Sequence, residues 1–195
     1  MSSNDSDIKD EAALITLMKE GDHEAFSVIV KRYKGRVFNT ALRFLHNYAI
    51  AEELTQEIFI TVFRKIGSFQ GRSKFSTWLY RIAVNHAKNR IGYLKRRGHY
   101  KKGEYSDYVK RDELVDFTHR TNNPGDYVEV KQLMEILKDK ISDLSVKDRE
   151  IIILKDFEGL TYEEIGEILK ISLGTVKSRL SRARQKLKDD MREYL

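Results

Sequence analysis

The chain has 195 residues, enough for one ordinary domain or two small ones. Lysine and arginine outnumber the acids by 36 to 30, and the net charge of +6 favours an anionic partner such as nucleic acid. There is no cysteine, which excludes a disulfide framework and thiolate metal sites, and no apolar run approaches the roughly 20 residues of a membrane span.

A single proline, with abundant Leu, Ile, Lys and Glu, predicts an all-α protein. The polar, acidic start Met1-Ser2-Ser3-Asn4-Asp5 lacks the basic-then-apolar layout of a signal peptide, so residues 1–9 read as a disordered terminus and the protein as cytoplasmic. A first helix is predicted over Asp10 to Glu20, with Ala13, Leu14, Leu17 and Met18 as its apolar stripe. Gly21 ends it and Asp22 caps the next helix, which carries Phe26, Ile29, Val30, Tyr33, Val37, Phe38, Ala41, Leu42 and Leu45. Asn47-Tyr48 reads as a turn.

The segment from Ala51 to Arg90 is the most informative. Leu54, Ile58, Phe59, Val62, Phe63 and Ile66 form one apolar helical face. Glu53, Gln56, Glu57 and Arg64 lie opposite, with Ile60 among them, which suits a partner surface better than bare solvent. A Gly-bearing break follows, with Phe69, Arg72, Ser73 and Lys74 bringing an aromatic ring and positive charge to a loop. That combination can hold a single nucleic-acid strand, cations on phosphates and a ring or pocket for an unstacked base. The next helix buries Phe75, Trp78, Leu79, Ile82 and His86. Thr77, Tyr80, Arg81, Val84 and Lys88 point away, and the helix runs on into a basic end.

From Gly92 to Asp126 no period is sustained. The basic Lys95, Arg96, Arg97, Lys101 and Lys102 give way to Asp107, Asp112, Glu113 and Asp116, and the stretch reads as a flexible or extended linker. The division is therefore a helical domain over 10–95, a linker over 96–126 and a second helical domain over 127–195. In the second domain Val130, Leu133, Met134, Leu137 and Ile141 mark an amphipathic helix, and Ser145 opens another that Gly159 stops. Thr161 and Glu164 form a capping box, and Ser172 caps a last helix with Val176, Leu180, Ala183 and Leu187 inward. Two short helices, a tight turn and a basic second helix describe a helix-turn-helix. Thr175, Lys177, Ser178, Ser181, Arg182 and Gln185 fall on or beside its exposed face, flanked by Arg179, Arg184, Lys186 and Lys188. Hydroxyls between cations suit base edges and phosphates in a major groove.

The wording TQEIF (Thr55–Phe59) followed by FSTWLYRIAVNHAKNR (Phe75–Arg90) resembles region 2 of bacterial RNA polymerase sigma factors of the extracytoplasmic-function (ECF) type. LTYEEIGEILKISLGTVKSRLSRARQKL (Leu160–Leu187) resembles sigma region 4, and also the DNA-binding domains of some response regulators. The resemblance implies a non-catalytic specificity subunit that binds core RNA polymerase and directs promoter-specific initiation. It implies −35 reading as duplex by Ser172, Thr175, Lys177, Ser178, Arg179, Ser181 and Arg182. It implies that Arg81, Asn85 and Lys88 hold the −10 fork and that Phe69, Arg72, Ser73 and Lys74 pocket a flipped base. Glu53, Gln56, Glu57 and Ile60 would dock on the clamp helices of the largest polymerase subunit. An anti-sigma factor is a further implied partner, and neither membrane insertion nor obligate homo-oligomerisation is expected. The linker is then either a solvated tether or a segment threaded through the polymerase. Two readings compete: a stand-alone helix-turn-helix regulator, which needs no account of Phe69 to Lys74, and a nuclease, which needs carboxylates converging on a metal. No cofactor is expected: there is no Gly-rich phosphate loop, and His23, His46, His86, His99 and His119 lack metal-binding spacing. The sequence departs from the family at Lys170, a turn position often held by glycine; a left-handed backbone there costs roughly 1 kcal/mol.

Overall fold

The computed structural model describes residues 3–98 and 124–194. Among them are eight α-helices and no strand. Helices α1 (Ser3–Lys19), α2 (His23–Leu45), α3 (Tyr48–Lys65) and α4 (Phe75–Arg96) form a first unit. Helices α5 (Pro124–Asp143), α6 (Val146–Ile152), α7 (Tyr162–Leu169) and α8 (Leu173–Met191) form a second. The linker residues Lys101, Lys102, Asp107, Asp112, Glu113 and Asp116, with His99 and His119, fall outside the described residues.

Helix α2 is the spine of the first unit. Ala25, Ile29, Tyr33, Val37, Ala41 and Phe44 recur at three- and four-residue steps and are all buried, so one side of the helix faces α1, α3 and α4 throughout. The helix opens where the Asp22 carboxylate accepts from the amides of Glu24 and Ala25 at 2.8 and 3.0 Å. It closes on His46, whose backbone is left-handed (φ 52°) and whose amide donates to the Leu42 carbonyl at 2.8 Å. Asn47, read as a turn, is the N-cap of α3, its side chain accepting from the Ile50 amide at 3.0 Å.

Helical backbone begins at Ser3, ahead of the apolar periodicity that fixed the expected start at Asp10. The stripe of α1 is also rotated from the expected one: Ile15 and Met18 are buried, whereas Ala13 and Leu17 are exposed. An ion pair and a hydrogen bond hold α1 against α2: Arg32 reaches Asp10 at 2.8 Å, and the Tyr33 hydroxyl donates to Glu11 at 2.5 Å.

Helix α5 starts at Pro124, within the stretch read as linker. Proline suits the first turn of a helix, where its missing N–H has no intrahelical partner. After α6 the backbone widens into a π segment, Ile153–Phe157, and Gly159 (φ +67°) turns the chain toward α7.

The two units pack together: α4 lies against α7, and α2 against α5. Their apolar side chains join one continuous core, so Leu54, Ile58 and Leu79 belong to the same cluster as Ile151, Ile165 and Val176. This corrects the expected orientation of α4. Thr77, Tyr80 and Val84, read as pointing away, are 1%, 3% and 1% exposed, because α4 carries a second buried face toward the second unit.

His46 lies at this junction. Burial, with the nearby Arg149 cation, pushes its pKa from 6.5 down to about 3, against a smaller opposing effect of Asp143. The folded chain therefore keeps His46 neutral where the unfolded chain protonates it. Its contribution to stability is full above pH 6.5 and falls as pH drops toward 3. Relative to a His46→Gln variant, the wild type should lose up to about 1.4 kcal/mol per pH unit below that point. Urea unfolding of both chains at neutral pH and at mildly acidic pH checks this; parallel losses would rule out His46 as the titrating group.

Candidate nucleic-acid interface

Two surfaces and one docking face were expected, and each is built on a different helix. In the second unit, α7 and α8 meet through the turn Lys170–Ser172. The Thr161 hydroxyl accepts from the Glu164 amide at 3.2 Å, and the Glu164 carboxylate accepts from the Thr161 amide at 2.9 Å, so the capping box is complete. Lys170 is left-handed (φ 55°, ψ 50°), and its amide donates to the Gly166 carbonyl. A side chain at Gly166 would bring a Cβ to 3.0 Å from the Ile171 carbonyl oxygen, which explains the small residue in the first helix. Ser172 caps α8, its hydroxyl accepting from the Thr175 amide at 3.3 Å and lying 2.8 Å from the Thr175 hydroxyl.

Val176, Leu180 and Ala183 lock one side of α8 into the core. Lys177, Ser178, Ser181, Arg182 and Gln185 are exposed together on the other side, and Thr175 is half-buried at the start. Arg179 does not join them. Its guanidinium turns inward to within 3.7 Å of the buried Glu150 carboxylate. Arg184 stays at the surface, paired there with Asp156.

In the first unit the loop before α4 presents Arg72 exposed, Ser73 half-buried and Lys74 exposed. Phe69 is not an exposed ring. It is 7% exposed and packs edge-on against Phe75 and tilted against Trp78, with centroids 5.7 and 5.5 Å away, while the Lys19 ammonium sits 5.8 Å from its centroid. It anchors the loop from beneath. Along α4, Asn85 is exposed and Arg81 half-buried, on a line leading to Lys88.

On α3, Glu53, Gln56 and Ile60 lie open to solvent and Glu57 is half-buried. Arg90 of α4 binds both acids, at 2.9 Å to Glu53 and 2.6 Å to Glu57. Ile60 is 52% exposed, beside a groove of about 400 Å³ lined by His23, Phe26, Phe59 and Phe63. The Thr61 hydroxyl gives its proton to the Glu57 carbonyl at 2.9 Å, so Nε2 of His86, 3.1 Å away, is the donor to it. Burial holds the His86 pKa below its ordinary value. Among the described residues no three His, Asp or Glu side chains gather as a metal site, and no helix is long and apolar enough to cross a membrane.

Sigma-70 region 2 matches residues 29–97, and Sigma-70 region 4 matches residues 134–187. Together these cover most of the chain, and whole-chain relatives agree. The ECF RNA polymerase sigma-E factor of Haemophilus influenzae is 34% identical over 187 residues, spanning 95% of this chain and 97% of its own. The ECF RNA polymerase sigma factor SigW of Bacillus subtilis is 37% identical over 179 residues, spanning 92% and 95%.

The chain belongs to the ECF sigma factors. As a member it is an RNA polymerase sigma factor that directs promoter-specific transcription initiation. Its fold agrees across both units with CnrH bound to the cytosolic domain of CnrY (TM-score 0.64, 20% identity, covering 92% of this chain and 96% of that one). It agrees also with the sigma factor RpoE bound to the anti-sigma factor NepR from Bartonella quintana (TM-score 0.61, 22% identity, covering 86% and 96%).

Sequence reasoning missed a set of polar residues between the two regions: Tyr80, Arg149, Glu150 and Glu158. The one available signal was α4 itself, where Tyr80 and Val84 add apolar area on a side already assigned to solvent. For Lys170 the left-handed backbone marks a direct test. Lys170→Gly should stabilise the sigma factor by up to about 1 kcal/mol, read as a higher urea midpoint; a lower midpoint would mean that the lysine side chain contributes more than its backbone strain costs.

Proposed function

We propose that this sigma factor reads the −35 element as duplex through Lys177, Ser178, Ser181 and Arg182, with Thr175 and Ser172 at the helix start. We further propose that it engages the −10 element during strand opening through Arg72, Ser73, Lys74, Arg81, Asn85 and Lys88. Phe69 then shapes the floor of the base pocket rather than stacking in the open. The observation that carries the −35 reading is the division of α8: one side is locked by Val176, Leu180 and Ala183, and the other presents cations and hydroxyls together. Such a surface matches phosphates and base edges in a major groove.

The docking face for core polymerase is the outer side of α3. Ile60 supplies exposed apolar area at a groove large enough to take a partner side chain. Glu53, Gln56 and Glu57 supply the polar rim, with the two acids pre-ordered by Arg90. Catalysis of RNA synthesis remains with the polymerase, and the chain works in the cytoplasm as its specificity subunit. A protein inhibitor is part of this reading. Its support is that CnrH and RpoE, which share the fold, are each seen with a protein partner.

Abortive transcription with purified core polymerase on a pool of promoter fragments tests the whole reading. Wild-type chain should give new initiation products, and Ile60→Glu should lower core affinity at least tenfold by placing a charge in an apolar contact. Ile60 is the better probe than the two acids, because reversing Glu53 or Glu57 would also repel Arg90. Sequence-selective duplex binding without any initiation would instead indicate a conventional regulator.

Lys177→Ala and Arg182→Ala report on the −35 surface. A lost phosphate contact should weaken duplex binding across all sequences and lower the log–log salt slope by roughly 1. A lost base contact should cost about 1–3 kcal/mol at one position only. Titrations at several salt concentrations separate the two, and an unchanged affinity for both variants would remove α8 from the interface.

A further inference from the structure

Helix α4 holds the cations Arg81, Lys88, Arg90, Lys95 and Arg96 and no aspartate or glutamate. Arg90 is committed to Glu53 and Glu57 on the α3 side. Arg81, Asn85, Lys88, Gly92 and Arg96 recur at steps of four and three residues, so they share one face. The first three are the residues proposed to hold the fork. Gly92 and Arg96 carry their row ~12 Å further at 1.5 Å per residue, or about three to four base-pair steps. Glycine is a poor residue for a helix interior, and the fold does not ask for it at position 92. A Cβ there would meet, among the described residues beyond its own backbone, the end of the Arg96 side chain at an ordinary 3.6 Å, and the backbone is not left-handed. Gly166 is the contrast, where a Cβ would press on a backbone oxygen at 3.0 Å. The missing side chain leaves a notch between Lys88 and Arg96 in which another backbone can approach the helix. One residue on, Tyr93 is 43% exposed, and the Arg97 guanidinium lies 4.8 Å from the centroid of its ring. Arg96 beside Gly92 and Arg97 on Tyr93 are thus ordered before any contact, which lowers the entropy lost on binding. The helix dipole accounts for cations in the last turn, but not for the glycine or the open ring.

We propose that the last two turns of α4 form a duplex-backbone site, in which Gly92 admits a sugar–phosphate strand to the helix surface and Arg96 and Arg97 hold its phosphates. The proposal rests on the fork role of Arg81, Asn85 and Lys88. Because α4 runs away from the Arg72–Lys74 loop that holds the melted strand, DNA past Lys88 lies on the paired side of the fork. Contacts there go to phosphates and carry no sequence of their own. They fix the part of the duplex that stays closed while the neighbouring base pairs open.

The test uses the full chain assembled with core polymerase and two probes cut from a fragment that initiates in the abortive assay. One probe is the −10 strand alone. The other is a fork that adds about six base pairs of upstream duplex, the ~22 Å from Arg81 to Arg96, and no −35 element. Gly92→Leu fills the notch with a better helix former. Its urea midpoint should not fall, its affinity for the fork should drop about tenfold, and its affinity for the strand should not change. Arg96→Gln, at an exposed position, should weaken fork binding about tenfold and lower its log–log salt slope by roughly 1; it decides the question if Gly92→Leu fails to fold. Full fork affinity in folded Gly92→Leu overturns the notch, and full fork affinity in Arg96→Gln overturns the site. Equal losses on both probes overturn the duplex assignment. Wild-type holoenzyme that binds neither probe overturns the −10 reading itself and this site with it, so the two failures give different results.

Discussion

Arg149 is the constraint on which the second region's position depends. Its guanidinium is 2% exposed, and a buried cation persists only when its N–H groups are bonded. It donates to the Ser142 carbonyl, to the Leu144 carbonyl at 3.3 Å, and to the Phe44 carbonyl at 2.9 Å. The first two acceptors shape the turn between α5 and α6. The third belongs to the last turn of α2, where helix carbonyls lack intrahelical donors. One side chain thus sets a local turn and satisfies the end of a helix in the other region. His46 stays neutral beside it for the same reason: a second cation at that depth would be repelled and desolvated.

Around this fixed point the charges sort by region. Region 2 contributes Arg43, Lys74 and Lys88 to the shared boundary, and region 4 contributes Glu150, Glu158 and Glu164. Burial raises the pKa of Glu150, which Lys88 and Arg179 counter, and Glu164 is held below its ordinary value by bonds to Thr161 and Lys74 that outweigh its desolvation. The exposed side of α8 is left open, whereas the α4 side is not. The folded boundary fixes the spacing of the two regions.

Local structure was legible because its causes are local. The caps at Asp22, Ser145, Thr161 and Ser172 each depend on residues two or three positions apart, and all form as expected. The outward face of α3 with Ile60 in it was legible for the same reason, whereas the left-handed backbone at Lys170, where the family often has glycine, was settled only by the structure. What the sequence hid was long-range. Thr40 and Tyr80 find Glu158 across 118 and 78 residues, and Arg149 finds Phe44 across 105. No periodicity encodes such partners. The burial of Phe69 beneath a loop whose Arg72 and Lys74 are exposed depends on its packing against Phe75 and Trp78.

The π segment from Ile153 to Phe157 gives the boundary an adjustable register. Its wider winding places the Glu158 amide on the Ile153 carbonyl at 3.0 Å, and the left-handed Gly159 then closes the end with the Leu160 amide on the Leu154 carbonyl at 3.1 Å. It therefore holds one residue more than an α-helix would over the same rise. Removing that residue would restore α-helix over the same rise, whereas one inserted residue more would turn everything beyond it by about 100°. Phe157 and Glu158 would then turn away from Arg43 and Tyr80 with no change in their own chemistry. A single-residue insertion in this segment is thus a route by which descendants of one sigma factor can diverge in how firmly their two halves adhere, leaving α4 and α8 untouched.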